Sequence, residues 1–224
     1  MTIKSKDLAG LIQIAYHTVN LVKYTTDNMA LPEGWELDTM LFGQDLDGKR
    51  PFGIVVSKEN EQVVAFRGTT SWSEWYQDAD IALIPTGIGR VHQGFIELYK
   101  SLIDSDGRSD WQSRLKGKET AFTGHSLGAS LATYLALDQQ SGNLTTFGSP
   151  KCGDEVWAQE ARKTLGNSKR WVSKFDPVTM LPLSTWHVTF AHVCDSTLLN
   201  GPDNKISGPQ TNHSIDRYIE LLPA

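Results

Sequence analysis

Residues 120–139 read TAFTGHSLGASLATYLALDQ, and the fold class turns on how this stretch divides. Its opening is short and β-rich. From Leu127 onward the apolar residues Leu131, Ala132, Leu135 and Ala136 recur at helical spacing, which predicts a strand over 120–123 and a helix over 127–139. The junction, Gly124-His125-Ser126-Leu127-Gly128, is a G-x-S-x-G in strand-turn-helix context. With 18 Ser and 19 Gly in 224 residues, a shuffled chain would supply about 0.1 such matches before any context is asked for. Two glycines permit a turn too sharp for side chains on either side, so the serine hydroxyl is lifted above the sheet at a helix N-terminus. The bland alternative is a glycine-rich turn carrying an ordinary exposed serine.

Working outward, the N-terminal side carries a helix with Leu8, Leu11, Ile12, Ala15, Tyr16 and Val19 on one face. Three β-rich runs follow at 35–42, 52–57 and 62–66, and the tight spacers 45–48 and 58–61 predict antiparallel hairpins. Next come a helix over 94–103 and another around Trp111. On the C-terminal side the reading is a strand over 144–147, a helix over 155–165, strands over 170–175 and 186–192, and a closing helix over 214–222. Strands alternating with helices imply a parallel sheet covered on both faces. The expected class is therefore α/β, three layers, with a mostly parallel central sheet and an antiparallel N-terminal edge.

A length of 224 residues suits one domain, 1–224. With 39% hydrophobic and 21% charged residues the chain can bury a large core, which excludes disorder, collagen and coiled coil. Lys and Arg number 21 against 26 Asp and Glu, for a formal charge of -5, and no basic block appears. A nucleic-acid partner is accordingly not expected. No apolar run approaches the ~20 residues of a spanning helix, and the first 20 residues lack the unbroken apolar core of a secretory signal. The expected compartment is cytoplasmic, or export by a non-classical route. Cys152 and Cys194 make two free thiols or one bridge, and a core of this size needs no staple, so free thiols are predicted. Neither cysteine has a metal-type partner, and no metal or organic cofactor is expected. Oligomeric state is not legible.

A serine at its ordinary pKa is a weak nucleophile and needs a base, which in turn needs an orienting carboxylate. In α/β hydrolases the chain order is Ser, acid, His. Three histidines follow Ser126. His187 and His192 lie in the alternating run 185–193, whereas His213 follows a polar loop and precedes the last helix, from where an imidazole can reach the carboxyl end of the sheet. His213 is the candidate base. Asp176 ends the strand over 170–175, with Pro177 stopping its continuation, and is the candidate orienter. Asp154, Asp195 and Asp203 sit where capping or solvation explains them. The oxyanion needs two donors: the N–H of Leu127 is one, and Thr69, after the strand over 62–66 in Arg67-Gly68-Thr69-Thr70, is the candidate for the other. A plain turn at Gly68-Thr69 is the alternative.

These residues resemble the class 3 lipase family, which includes fungal triacylglycerol lipases and feruloyl esterases. The likeness rests on Val63-Val64-Ala65-Phe66-Arg67-Gly68-Thr69, Val91-His92-Gln93-Gly94-Phe95, the segment from Thr123 to Ala129, Phe147-Gly148-Ser149-Pro150-Lys151-Cys152-Gly153-Asp154, Asp176-Pro177-Val178 and Asn212-His213, in family order over about 160 residues. The resemblance implies an α/β-hydrolase fold, the triad Ser126, Asp176 and His213, an oxyanion hole from Thr69 and Leu127, and a lid after Thr69. The chain departs from secreted fungal members in carrying neither a signal nor several disulfides, and it has Cys194 where glycine is usual. For His192, packing in the core or at the rim is the simpler reading.

The expected activity is a serine carboxylic-ester hydrolase, a lipase cleaving acylglycerol or fatty-acid esters through an acyl-enzyme. The nearer alternatives are an esterase for soluble or feruloyl-type esters and a phospholipase A1; a non-catalytic interaction protein on the same fold is the remote one. The expected partner is an ester or lipid substrate, met at a lipid–water interface. The segment of about 71–90, with Trp72, Trp75, Tyr76, Ile81, Leu83 and Ile84, reads as the lid, or else as an amphipathic connection packed on the core.

Overall fold

The computed structural model describes residues 3–18, 29–45, 48–69, 82–115, 119–201 and 208–223. Strands β1 (Glu36–Asp45), β2 (Gly48–Lys58) and β3 (Glu61–Phe66) form the antiparallel edge that the hairpin spacers predict. β3 then pairs in parallel with β6 (Glu119–His125), and the parallel ladder continues through β7 (Leu144–Phe147) and β9 (Lys169–Ser173) to β11 (Ser196–Leu199). The order across the sheet is β1-β2-β3-β6-β7-β9-β11.

The side-chain period of two divides the core between the two faces. Val63 and Ala65 of β3 pack with Leu8, Leu11, Ile12 and Ala15 of helix α1 (Ser5–His17) and with Ile215 and Tyr218 of the last helix. Val64 and Phe66, pointing the other way, join Phe95 and Leu98 of α2 (Gln93–Lys100), Leu131 and Leu135 of α3 (Leu127–Asp138), and Trp157 and Ala161 of α4 (Glu155–Leu165). The result is the expected three-layer α/β-hydrolase fold. Helix α3 is buried nearly all round, as suits a central helix wedged between the sheet and its neighbours. None of the helices among the described residues is long and apolar enough to cross a membrane.

A second, four-stranded sheet has the order β10-β8-β5-β4. It is built from the hairpin β4 (Leu83–Thr86) and β5 (Gly89–His92) with the two-residue strands β8 (Gly153–Asp154) and β10 (Phe190–Ala191). Asp154 joins this sheet to α4. Its carboxylate accepts from Trp157 N at 2.9 Å as the helix N-cap and from Arg90 Nε at 2.9 Å, which is the capping role the sequence suggests.

One sequence expectation needs correction. The alternating run over 186–192 is not a strand of the main sheet: Thr185 and Val188 bond each other in a turn, Trp186 is fully exposed, and only Phe190–Ala191 pairs, in the small sheet. The edge of the main sheet is instead β11, which reads weakly because three of its four residues are exposed. In the expected lid, Trp72, Trp75, Tyr76 and Ile81 lie outside the described residues, while Leu83 and Ile84 belong to β4 and are tied into a hairpin. The closing helix expected over 214–222 is α6 (Ile215–Leu221), preceded by a short helix α5 (Pro209–His213), with Ser214 between them accepting from Arg217 N. Cys152 and Cys194 are free and buried, and burial pushes the Cys152 thiol up to about 11, which leaves it a packing group.

Candidate active site

β6 runs through Gly124 and His125 and stops at Ser126, which adopts φ 58° and ψ -130° before α3 begins at Leu127. This backbone region is costly for a side-chain-bearing residue and persists only where its surroundings enforce it. Here the enforcement is steric. A Cβ on Gly124 would strike the backbone of Gly128 and Ala129, and a Cβ on Gly128 would strike the backbone of Phe66 and Arg67 at the end of β3. The two glycines of the motif therefore let α3 start directly against β3 and β6, and the serine takes the strained corner.

The elbow aims Ser126 at His213. His213 Nε2 lies 2.7 Å from Ser126 Oγ, and His213 Nδ1 lies 2.8 Å from Asp176 Oδ2. All three residues are buried, with exposures of 1%, 5% and 4% for Ser126, His213 and Asp176. A carboxylate can only accept, so Nδ1 carries the proton and Nε2 is left to accept from the serine hydroxyl. Asp176 follows β9 and caps the 3-10 turn Pro177–Met180; its Oδ1 accepts from Val178 N at 2.9 Å. Tyr218, on α6, donates its hydroxyl to Asp176 Oδ2 at 2.6 Å and accepts from Ser173 N at 3.0 Å. Burial, then the charge of Asp176, hold the Tyr218 phenol well above its ordinary range, so it keeps the proton it donates.

The oxyanion candidates flank the serine. Leu127 occupies the first position of α3, where a backbone N–H has no partner inside the helix. Thr69 is half-buried and follows Gly68, whose α-carbon faces Ser126 so closely that a Cβ there would lie 2.6 Å from Ser126 Cβ. Arg67 is 1% exposed and sits over the Phe52 ring at 4.4 Å; its Nε donates to Pro51 O and its Nη1 to Gly68 O, each at 2.6 Å. The strand end before Thr69 is thus clamped by a buried guanidinium that sequence reasoning missed. A buried arginine directly after an apolar strand, Val63 to Phe66, was the available signal.

The structure leaves His187, His192 and His92 outside this group. His187 is exposed and its N–H bonds Thr185 Oγ1. His192 bonds Thr179 O at 2.9 Å, and burial with Arg170 nearby lowers it to about 4, a neutral packing group at the rim of the Asp176 turn. His92 stacks on Phe95 at 3.9 Å, and burial lowers it to about 4. Among the described residues, no three His, Cys, Asp or Glu side chains are grouped to hold a metal ion. A recess of about 490 Å³ opens at the amino ends of β3, β6, β7 and β9, lined by Glu61, Glu119, Asn143 and Lys169. It lies at the opposite end of the strands from Ser126, so it is not part of this site.

Residues 63–186, just over half of the chain, match the family model described as Lipase (class 3). The secreted mono- and diacylglycerol lipase A of Penicillium camembertii is 31% identical over 167 residues, which cover 67% of this chain and 52% of that protein. Phospholipase A1-II 1 of Oryza sativa subsp. japonica is 35% identical over 135 residues, covering 46% of this chain and 34% of that one. The solved triacylglyceride lipase of Rhizomucor miehei superposes with a TM-score of 0.68 at 21% identity, over 87% of this chain and 78% of that chain, a likeness of fold. The chain spans about half the length of the curated fungal lipases it matches.

Proposed function

Since the chain belongs to the class 3 lipase family, we propose that it is a serine carboxylic-ester hydrolase that cleaves acylglycerol esters through an acyl-enzyme. The observation that carries the reading is the unbroken chain Ser126 Oγ, His213 Nε2, His213 Nδ1, Asp176 Oδ2, at 2.7 and 2.8 Å, on a strained elbow. In this mechanism Ser126 attacks the ester carbonyl as its proton passes to His213 Nε2, and Asp176 stabilises the imidazolium that forms. The oxyanion of the tetrahedral intermediate takes the N–H of Leu127 and a donor from Thr69. Collapse expels the alcohol, which receives the proton from His213. Water then repeats the sequence on the acyl-enzyme and frees the acid.

A lipid rather than a dissolved ester is favoured by the segment that follows Asp176. Met180, Leu183 and Trp186 are 61%, 60% and 101% exposed on it. Three large apolar side chains held in water beside the turn carrying the catalytic acid form a surface that gains from meeting a lipid interface. Each is worth about 1.5 to 3 kcal/mol when buried, or roughly a ten- to hundredfold change in partition.

The test is turnover of p-nitrophenyl esters of increasing acyl length beside emulsified acylglycerol and phosphatidylcholine. Activity on a sparingly soluble ester is expected to rise once substrate exceeds its solubility limit. Trp186→Ser should cut activity on the emulsion about tenfold and leave turnover of a dissolved short-chain ester within about twofold. A smooth saturation curve through the solubility limit, the same in both proteins, would return the reading to an esterase for soluble substrates. Preference for phosphatidylcholine over acylglycerol would make it a phospholipase A1.

A further inference from the structure

The residue between the first glycine and the nucleophile, His125, is 3% exposed and bonded at both ring nitrogens. Its Nε2 lies 2.6 Å from the backbone carbonyl of His213, and its Nδ1 lies 2.7 Å from the hydroxyl of Tyr16, near the end of α1. The same hydroxyl accepts the N–H of Gly68 at 2.9 Å. Four places distant in sequence therefore meet around one phenol oxygen and one imidazole: the first helix, the strand end before Thr69, the elbow, and the backbone of the base.

The proton positions follow from the inventory of donors and acceptors. The carbonyl of His213 can only accept, so His125 Nε2 carries the hydrogen. A neutral ring then leaves Nδ1 as an acceptor. The Tyr16 oxygen already accepts from Gly68, so its one proton goes to His125 Nδ1. The chain runs Gly68 N–H to Tyr16 O–H to His125 Nδ1, and His125 Nε2–H to His213 O, with every member satisfied. Burial, then the neighbouring His213 ring at 4.6 Å, hold His125 well below its ordinary range, and burial raises Tyr16 above its own, so both stay neutral. The groups facing His125 are Tyr16 from α1, His213 from α5 and Tyr218 from α6, with the Arg67 guanidinium acting on Tyr16.

We propose that Tyr16 is a positioning residue of the hydrolytic site: its hydroxyl holds the N–H of Gly68, the residue that precedes Thr69, and, through His125, the backbone of the base. Gly68 is then held on both sides, its N–H by Tyr16 and its carbonyl by Arg67. Tyr16 lies outside the stretch that matches the family, residues 63–186, so the N-terminal helix contributes to the site from beyond the recognisable segment. This inference rests on the proposed hydrolase reading.

The experiment compares the parent with Tyr16→Phe, which keeps the ring and removes one oxygen. A lost oxyanion donor costs about 10²- to 10³-fold in kcat, and a donor displaced but present costs part of that. The kcat for a short, dissolved p-nitrophenyl ester is expected to fall about 10- to 100-fold with KM within about threefold. Imidazole ¹⁵N spectra of the parent should show His125 as the neutral Nε2–H tautomer with Nδ1 accepting, and the Nδ1 resonance should move in the variant. A Tyr16→Phe protein with kcat within about twofold of the parent, or one altered only in KM, overturns the proposal. So does an Nδ1–H tautomer in the parent, a result that does not depend on the variant folding. A parent with no turnover on any ester of the panel fails the hydrolase reading and this inference with it; an active parent beside an unaffected Tyr16→Phe fails the inference alone.

Discussion

Ser126→Ala is expected to lower kcat by ~10⁴ to 10⁶ and to abolish labelling by a fluorophosphonate, while the thermal midpoint stays close to that of the parent. Alanine keeps the Cβ and meets the same backbone corner, φ 58° and ψ -130°, that Gly124 and Gly128 enforce. The elbow therefore survives, and what is lost is the oxygen 2.7 Å from His213 Nε2. Without it no acyl-enzyme forms, and only the oxyanion donors and binding remain to favour attack by water. Steady-state hydrolysis of a dissolved ester, read with the labelling assay, decides the matter. Residual turnover above a few per cent of the parent would mean that another group carries the chemistry.

Asp176→Asn is expected to cost ~10³ to 10⁴ in kcat, because both carboxylate oxygens serve as acceptors only. Oδ1 takes the N–H of Val178, and Oδ2 takes both His213 Nδ1–H and the Tyr218 hydroxyl. An asparagine amide has one oxygen, so every orientation sets its NH₂ against a donor. Turned toward His213, the NH₂ forces the proton onto Nε2, the tautomer that cannot accept from Ser126. Turned toward Val178, it restores the tautomer but leaves the imidazolium without a countercharge. Activity should be lost in kcat, measured on the same dissolved ester, with His187→Ala unchanged as the exposed-histidine control. Retention of more than about a tenth of the parent kcat would reassign the acid.

The three residues of the proposed triad could be singled out in the sequence because each has a local mark. Gly124 and Gly128 bracket the serine, Pro177 ends the strand before Asp176, and His213 follows a polar loop in the required chain order. The supporting residues carry no such mark. Tyr16 and Tyr218 sit at apolar positions of amphipathic helices and read as core, which their rings are; what their hydroxyls do depends on partners 52, 109 and 42 positions away. His125 reads as the variable residue of a motif, although its ring ties that motif to the base. The errors over the sheet have the same origin. Residues 186–192 alternate like a strand of the main sheet but turn at the surface over 186–189 and pair only in the small sheet, and Ser196–Leu199 takes the edge with one buried residue to announce it. Periodicity reports which residues are apolar, and it is silent on which face of which layer receives them.

The three-layer arrangement sets the order in which the protein should fail. Ser126 stands at the start of α3, the most enclosed of the described helices, but the groups that bond around its proposed partners belong to the other layer, Tyr16 on α1 and Tyr218 on α6. Those two helices are the first and last of the described chain, and they lean on each other through Gln13 Nε2 and Asp216 Oδ1 at 2.6 Å. Helices laid on one face of a sheet open at lower free energy than its central strands. On gentle heating, catalysis is therefore expected to fade while the sheet and α3 still stand, so the midpoint of reversible activity loss falls several degrees below that of the far-ultraviolet dichroism. Coincident midpoints would show one cooperative unit. If the midpoints separate, the durability of the activity is set at the seam between α1 and α6, far along the chain from Ser126.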